Sequence, residues 1–127
     1  MNEFQNILVI GTGFISKNIL GLESQYNSKN INIISLSRAK DFPFSDKHIS
    51  ADFSDQAFIR KILKEERITK IFLFLGPSFP SISNENAISD VNTYLISFLK
   101  LIENSLKNSV KEIVMLSSAG TVYGSTY

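Results

Sequence analysis

The 127-residue chain is 43% hydrophobic and 20% charged, which suits one globular domain with a buried core and excludes a disordered segment. Its 13 basic and 12 acidic residues are scattered and leave a net charge of +1, so there is no electrostatic footprint for nucleic acid or an anionic membrane. Without cysteine there is no disulfide framework or thiolate metal site, and a single histidine leaves little scope for a metal cluster.

The N-terminus, Met1 to Asn6, has no basic stretch, and the apolar run after it is broken by Gly11 and Gly13 well short of membrane-spanning length, which points to a cytoplasmic protein. Asn6 to Ile10 is a short, β-branched apolar run ending at glycine, the signature of a strand buried on both faces. A helix follows from Phe14 to Leu22, with Phe14, Ile15, Ile19, Leu20 and Leu22 at mixed spacings. Ile31 to Leu36 is a second strand and Lys47 to Ala51 a weaker third. From Asp55, a plausible cap, Ala57, Phe58, Ile62 and Leu63 form one helical stripe with charges on its other side. Lys70 to Leu75 is a buried strand, Gly76 to Asn86 a polar loop, and Asn86 or Ser89 opens the longest helix, striped by Val91, Leu95, Phe98, Leu99, Ile102 and Leu106. Glu112 to Leu116 is the last strand.

Strands alternating with helices imply right-handed crossovers, hence an α/β fold with a doubly wound parallel sheet of Rossmann type filling residues 1–127 as a single domain. Ligands of such sheets bind at the carboxyl ends of the strands, so the turns after Ile10, Leu36, Ala51, Leu75 and Leu116 are where chemistry belongs.

The first of these turns reads Gly11-Thr12-Gly13-Phe14-Ile15-Ser16. Gly11 permits a tight turn and Gly13 lets the backbone approach a pyrophosphate at a helix N-terminus, where the dipole favours an anion. Gly-x-Gly turns also end strands for structural reasons alone; the buried strand before this one and the helix after it favour a dinucleotide site. Ser16 stands where close helix–strand contact usually demands glycine, so the fit is strained. After the second strand the sequence is Ser37-Arg38-Ala39-Lys40, with no carboxylate to take ribose hydroxyls as an NAD-selective site would. Ser37 and Arg38 can donate to a 2′-phosphate instead, so NADP(H) is slightly favoured over NAD(H); the plainer reading is a solvated basic turn. Asp52-Phe53 follows the third strand, where Asp52 or Asp55 merely capping the next helix is the simpler role. His48, near the start of that strand and away from the ligand edge, reads as a surface residue.

Gly11-Thr12-Gly13-Phe14-Ile15, Ala51-Asp52-Phe53-Ser54-Asp55, Asp90-Val91-Asn92 and Ser117-Ser118-Ala119-Gly120-Thr121-Val122-Tyr123-Gly124 resemble, in order and spacing, the extended short-chain dehydrogenase/reductases, and more narrowly the NAD-dependent epimerase/dehydratase group that remodels nucleotide sugars. The resemblance implies that Asp52 accepts from the adenine amino group while the Phe53 backbone contacts the same ring. It implies that Leu75 and Gly76 line the cofactor ribose, and that Asn92 fixes a water or a kink inside the long helix, where a satisfied core asparagine is the alternative. Ser117, Ser118 and Thr121 would lie beside nicotinamide and substrate, with Ser118 or Thr121 the catalytic hydroxyl because Ala119 occupies the usual place; otherwise the segment is a polar strand-to-loop turn. No metal is implied.

The sequence departs from that family in a glycine turn one residue shorter than G-x-x-G-x-x-G, and in the catalytic Tyr and Lys. Neither Tyr123 nor Tyr127 has a lysine four residues on, so the chain reads as truncated relative to the family, without its Y-x-x-x-K region and substrate domain. It is then the cofactor-binding portion of a nucleotide-sugar epimerase, dehydratase or reductase, inactive by itself; a non-catalytic NAD(P)-binding sensor or regulatory module is the alternative. The long helix carries Ile88, Ile96 and Leu101 beyond its stripe, more apolar arc than one sheet face covers, so a homodimer through residues 88–106 is expected.

Overall fold

The computed structural model describes residues 4–26, 30–75 and 86–117. Gly76, Ser118 and Thr121 of the sequence-derived site lie outside them. In chain order the elements are β1 (Gln5–Ile10), α1 (Phe14–Tyr26), β2 (Ile31–Ser37), β3 (Lys47–Ser50), α2 (Gln56–Glu65), β4 (Lys70–Leu73), α3 (Ala87–Asp90), a π-helical turn (Val91–Leu95), α4 (Ile96–Leu106) and β5 (Glu112–Met115).

The five strands form one parallel sheet in the order β3-β2-β1-β4-β5. This is the doubly wound Rossmann order through its fifth strand, with the winding of the sheet reversing between β1 and β4. β1 lies in the middle, which is why Ile7, Leu8, Val9 and Ile10 are all buried. The period of two sends them alternately to opposite faces. Ile7 and Val9 join Ile33, Phe42 and Leu20 of α1 on one face. Leu8 and Ile10 join Ile34, Leu36, Ile71 and Leu73 under Ile59, Ile62 and Leu63 of α2 and Leu101 of α4 on the other. Each fully buried aliphatic side chain of this kind contributes about 1.5–3 kcal/mol through area removed from water.

α2 begins as its sequence dictates: the Asp55 carboxylate accepts from the Phe58 amide at 3.1 Å and satisfies one of the donors that a helix start leaves free. Its end comes where Arg67 takes φ 49°.

The last long helix differs from its sequence reading in which side it buries. Of the expected stripe, Val91, Leu95, Leu99 and Leu106 are exposed and Phe98 and Ile102 half-buried, whereas Ser97, Leu101 and Ser105 face the core. Two serines at i and i+8 around Leu101 let the helix lie close to α2, and Phe98 packs partly against the same core. The π-helical turn at Val91–Leu95 rotates the residues before it relative to those after, so a single 3.6-residue stripe cannot run from Ile88 to Leu106.

Candidate functional site

A cleft of about 740 Å³ opens at the carboxyl ends of β1, β2 and β4. Its described walls come from the glycine turn (Ile10 to Gly13), the β2 end (Leu36 to Ala39), the β3 end (Ala51 to Phe53), Phe74-Leu75 after β4, and the helical segment that starts at Asn86 and includes Tyr94.

The two glycines of the turn are held there for different reasons. Gly11 has φ +96°, and a Cβ on it would stand 3.0 Å from the Phe74 carbonyl carbon and oxygen, so both conformation and packing against the chain after β4 require glycine. Its amide donates to the Leu36 carbonyl at 2.9 Å, and the Phe74 amide donates to Ile10 at 2.8 Å, which fixes the turn between the ends of β2 and β4. A Cβ on Gly13 would meet nothing within 4 Å. Among the described residues nothing in the packing demands glycine at that point, and Gly13 lines the cleft.

Ser16 is buried and its hydroxyl donates to the Gly11 carbonyl, closing the turn from inside. The small side chain finds an acceptor in the turn itself. Ser16 therefore shapes the turn without lining the cleft, and Phe14, 82% exposed, and Ile15 do not line it either. At these positions only the backbone at the start of α1 lies beside Gly13.

At the β2 end, Ser37, Arg38 and Ala39 do line the cleft, while Lys40 does not. Ser37 Oγ lies 2.6 Å from Thr12 Oγ1 and accepts from the Ala39 amide at 3.2 Å. Thr12 has no sequence signal of its own, because a polar residue between two glycines carries no pattern. His48 also differs from its sequence reading: it is half-buried, with Nδ1 2.7 Å from Ser35 Oγ and Nε2 donating to the Ala39 carbonyl at 2.9 Å. Parallel pairing of Ser35 with His48 puts the ring beneath the turn that carries Arg38.

Asp52 and Phe53 line the cleft from β3. Asp52 Oδ1 accepts from the Ser54 amide at 2.8 Å and from the Ser54 hydroxyl at 2.6 Å, and Oδ2 lies 4.0 Å from Arg38 Nε. The side-chain and backbone hydrogen bonds from Ser54, with a smaller pull from the Arg38 charge, hold its carboxyl below the ordinary value of 3.8 against a modest opposing effect of burial. Phe53 is buried, its carbonyl accepts from Gln56 Nε2 at 2.7 Å, and its ring lies 6.2 Å from that of Tyr94. Burial, with the neighbouring Asp90 charge, raises the Tyr94 hydroxyl above its ordinary value of 10.0.

Leu75 lines the cleft, whereas Asn92 and Ser117 are exposed and are not among its described walls. Asn92 sits in the π-helical turn, and the residues that this turn directs into the cleft are its neighbours Thr93 and Tyr94, with Asn86, Ser89 and Asp90 before them. A helix with regular period gives no hint of that rotation, so Thr93 and Tyr94 carry no signal for the cleft in the sequence. Among the described residues there is no group of three or more His, Cys, Asp or Glu able to hold a metal ion, and no helix long and apolar enough to cross a membrane.

The fold recurs in solved enzymes. The chain matches UDP-glucose 4-epimerase from Thermotoga maritima, determined with UDP-glucose, at TM-score 0.82 and 22% identity over 97% of this chain and 41% of that one. UDP-glucose 4-epimerase from Bifidobacterium longum, in complex with NAD+ and UDP, matches at TM-score 0.75 and 26% identity over 94% and 38%. ADP-L-glycero-D-manno-heptose-6-epimerase from Helicobacter pylori matches at TM-score 0.74 and 26% identity over 98% and 42%. The chain thus spans about two-fifths of the length of these structures. No curated protein matches it by sequence at a significant level. The family model for the NAD dependent epimerase/dehydratase family matches residues 7–126, nearly the whole chain, and with the glycine turn, the sheet order and the cleft it establishes that this chain belongs to that family.

Proposed function

We propose that the cleft holds a nicotinamide dinucleotide and that the chain is the cofactor-binding portion of an extended short-chain dehydrogenase/reductase that remodels a nucleotide sugar as an epimerase, dehydratase or reductase. The observation that carries this reading is Gly13: glycine stands where the protein's packing would accept a side chain, at the mouth of a cleft beside a helix N-terminus, as a backbone that must approach a pyrophosphate requires. NAD and UDP in the Bifidobacterium relative and UDP-glucose in the Thermotoga one support the cofactor and substrate classes.

In this reading Gly11, Thr12 and Gly13 receive the pyrophosphate, Ser37 and Arg38 the adenosine ribose, Asp52 and Phe53 the adenine, and Leu75 and Gly76 the other ribose. Arg38 gives a slight preference for NADP(H). Ser117, Ser118 and Thr121 supply hydroxyls to nicotinamide and sugar, with Ser118 or Thr121 as the catalytic one. When bound, the nicotinamide supplies the hydride chemistry. The protein's share is to orient the ring, exclude water and bind the sugar hydroxyls. The reading places the protein in the cytoplasm, and a homodimer forms through residues 88–106, where Leu95 and Leu99 are exposed.

The test pairs a cofactor-induced thermal shift with an absorbance assay for nicotinamide reduction across UDP-, GDP- and dTDP-sugars. A shift without turnover is the expected result, because the 127-residue chain holds no Y-x-x-x-K pair and general acid–base groups are worth about 10²–10⁴-fold in rate. No shift with either dinucleotide overturns the cofactor reading. Turnover would mean that the catalytic group lies in this chain, with Tyr123 the first candidate.

A further inference from the structure

Resting on the cofactor reading above, we propose that Asp52 is a specificity-determining residue for the adenosine ribose: its carboxylate competes with a 2′-phosphate for the Arg38 guanidinium and so narrows the preference between phosphorylated and unphosphorylated dinucleotides.

Three observations lead there. Arg38 is the one cation among the described residues lining the cleft, against the carboxylates of Asp52 and Asp90. A cleft built to select an additional phosphate dianion would carry an excess of positive charge, and this one does not. Next, the Arg38 Nε to Asp52 Oδ2 approach of 4.0 Å crosses from the β2 end to the β3 end. Ser54 takes Oδ1 through both its amide and its hydroxyl, which fixes the carboxylate with Oδ2 turned toward the guanidinium. Last, the two side chains are 84% and 48% exposed, so the pair lends little to the fold and its substitution leaves the domain intact. At this separation the carboxylate acts on the guanidinium through its charge and offsets part of the attraction that Arg38 exerts on a 2′-phosphate.

An Asp52 that merely ordered its own turn and accepted from adenine would affect both dinucleotides alike. The ratio of their affinities separates the two roles. Asp52→Asn keeps an Oδ1 acceptor for Ser54 and removes the charge. Titration of NAD+ and NADP+ by calorimetry against wild type, Asp52→Asn and Arg38→Ala reads that ratio without any need for turnover. Asp52→Asn should raise NADP+ affinity relative to NAD+ by roughly 3–10-fold at low ionic strength, with the gain shrinking as salt screens the charges. Arg38→Ala should lower the same ratio. A ratio unchanged by Asp52→Asn, or equal losses for both dinucleotides in Arg38→Ala, overturns the proposal while leaving the cofactor reading in place. Absence of binding by either dinucleotide to every form overturns the cofactor reading and the proposal with it.

Discussion

The hydroxyls of Thr12 and Ser37 lie 2.6 Å apart and join the glycine turn after β1 to the end of β2 across the head of the cleft. Removing either hydroxyl frees the other, so Thr12→Val and Ser37→Ala should each cost about 0.5–1.5 kcal/mol, and the double variant distinctly less than their sum. Denaturant unfolding of the four proteins of the cycle measures the coupling. Additive costs would mean that the two hydroxyls do not depend on each other.

The two glycines of the turn should respond in opposite ways to alanine. At Gly11 the positive φ and the 3.0 Å approach to Phe74 make Gly11→Ala destabilising by roughly 2–5 kcal/mol. At Gly13 a methyl meets open space, so Gly13→Ala should melt within a few degrees of wild type or slightly above it while weakening dinucleotide binding roughly tenfold or more. Melting temperature with and without cofactor reads both effects. Equal destabilisation by the two substitutions would contradict the distinction, and undiminished cofactor binding by Gly13→Ala would detach that glycine from the site.

Acid should expose the Ser54 contacts to Asp52. A carboxyl whose pKa is lower in the folded state contributes stability that is complete above the unfolded value and is lost as pH falls through the folded one. For Asp52 that loss lies below the ordinary value of 3.8. Wild type should therefore lose stability more steeply than Asp52→Asn below about pH 4, by a fraction of a kcal/mol because the carboxylate is half exposed. Parallel stability curves for the two proteins through that range would remove the hydrogen bonds as the cause.

The outward face of the last helix should drive self-association. Leu95 and Leu99 are both exposed, and an exposed apolar stripe of this kind favours a partner surface. Leu99→Asp should shift a concentration-dependent dimer to monomer in sedimentation while changing the stability of the monomer by no more than about 0.5 kcal/mol. A wild-type protein that stays monomeric at high concentration excludes the interface.

The sequence by itself determines those features whose determinants are local. A β-branched run closed by Gly11 specifies a doubly buried strand and its turn, because burial on both faces and a left-handed residue are demands met within a few positions. Asp55 as a helix cap and the strand–helix alternation that implies a parallel sheet are of the same kind. Which face of the last helix turns inward was decided only by tertiary packing. Leu95, Leu99 and Leu101 are equally apolar, and the choice of Leu101 follows from the π-helical turn and from the close approach that Ser97 and Ser105 allow, neither of which a regular period encodes. The contacts that define the cleft, Thr12 to Ser37 and Arg38 to Asp52, likewise depend on register: parallel pairing of β1 with β2 and of β2 with β3 aligns strand ends that lie 25 and 14 positions apart in the chain. No single strand carries that information, since hydrogen-bond alignment between strands is set by how all five share one core.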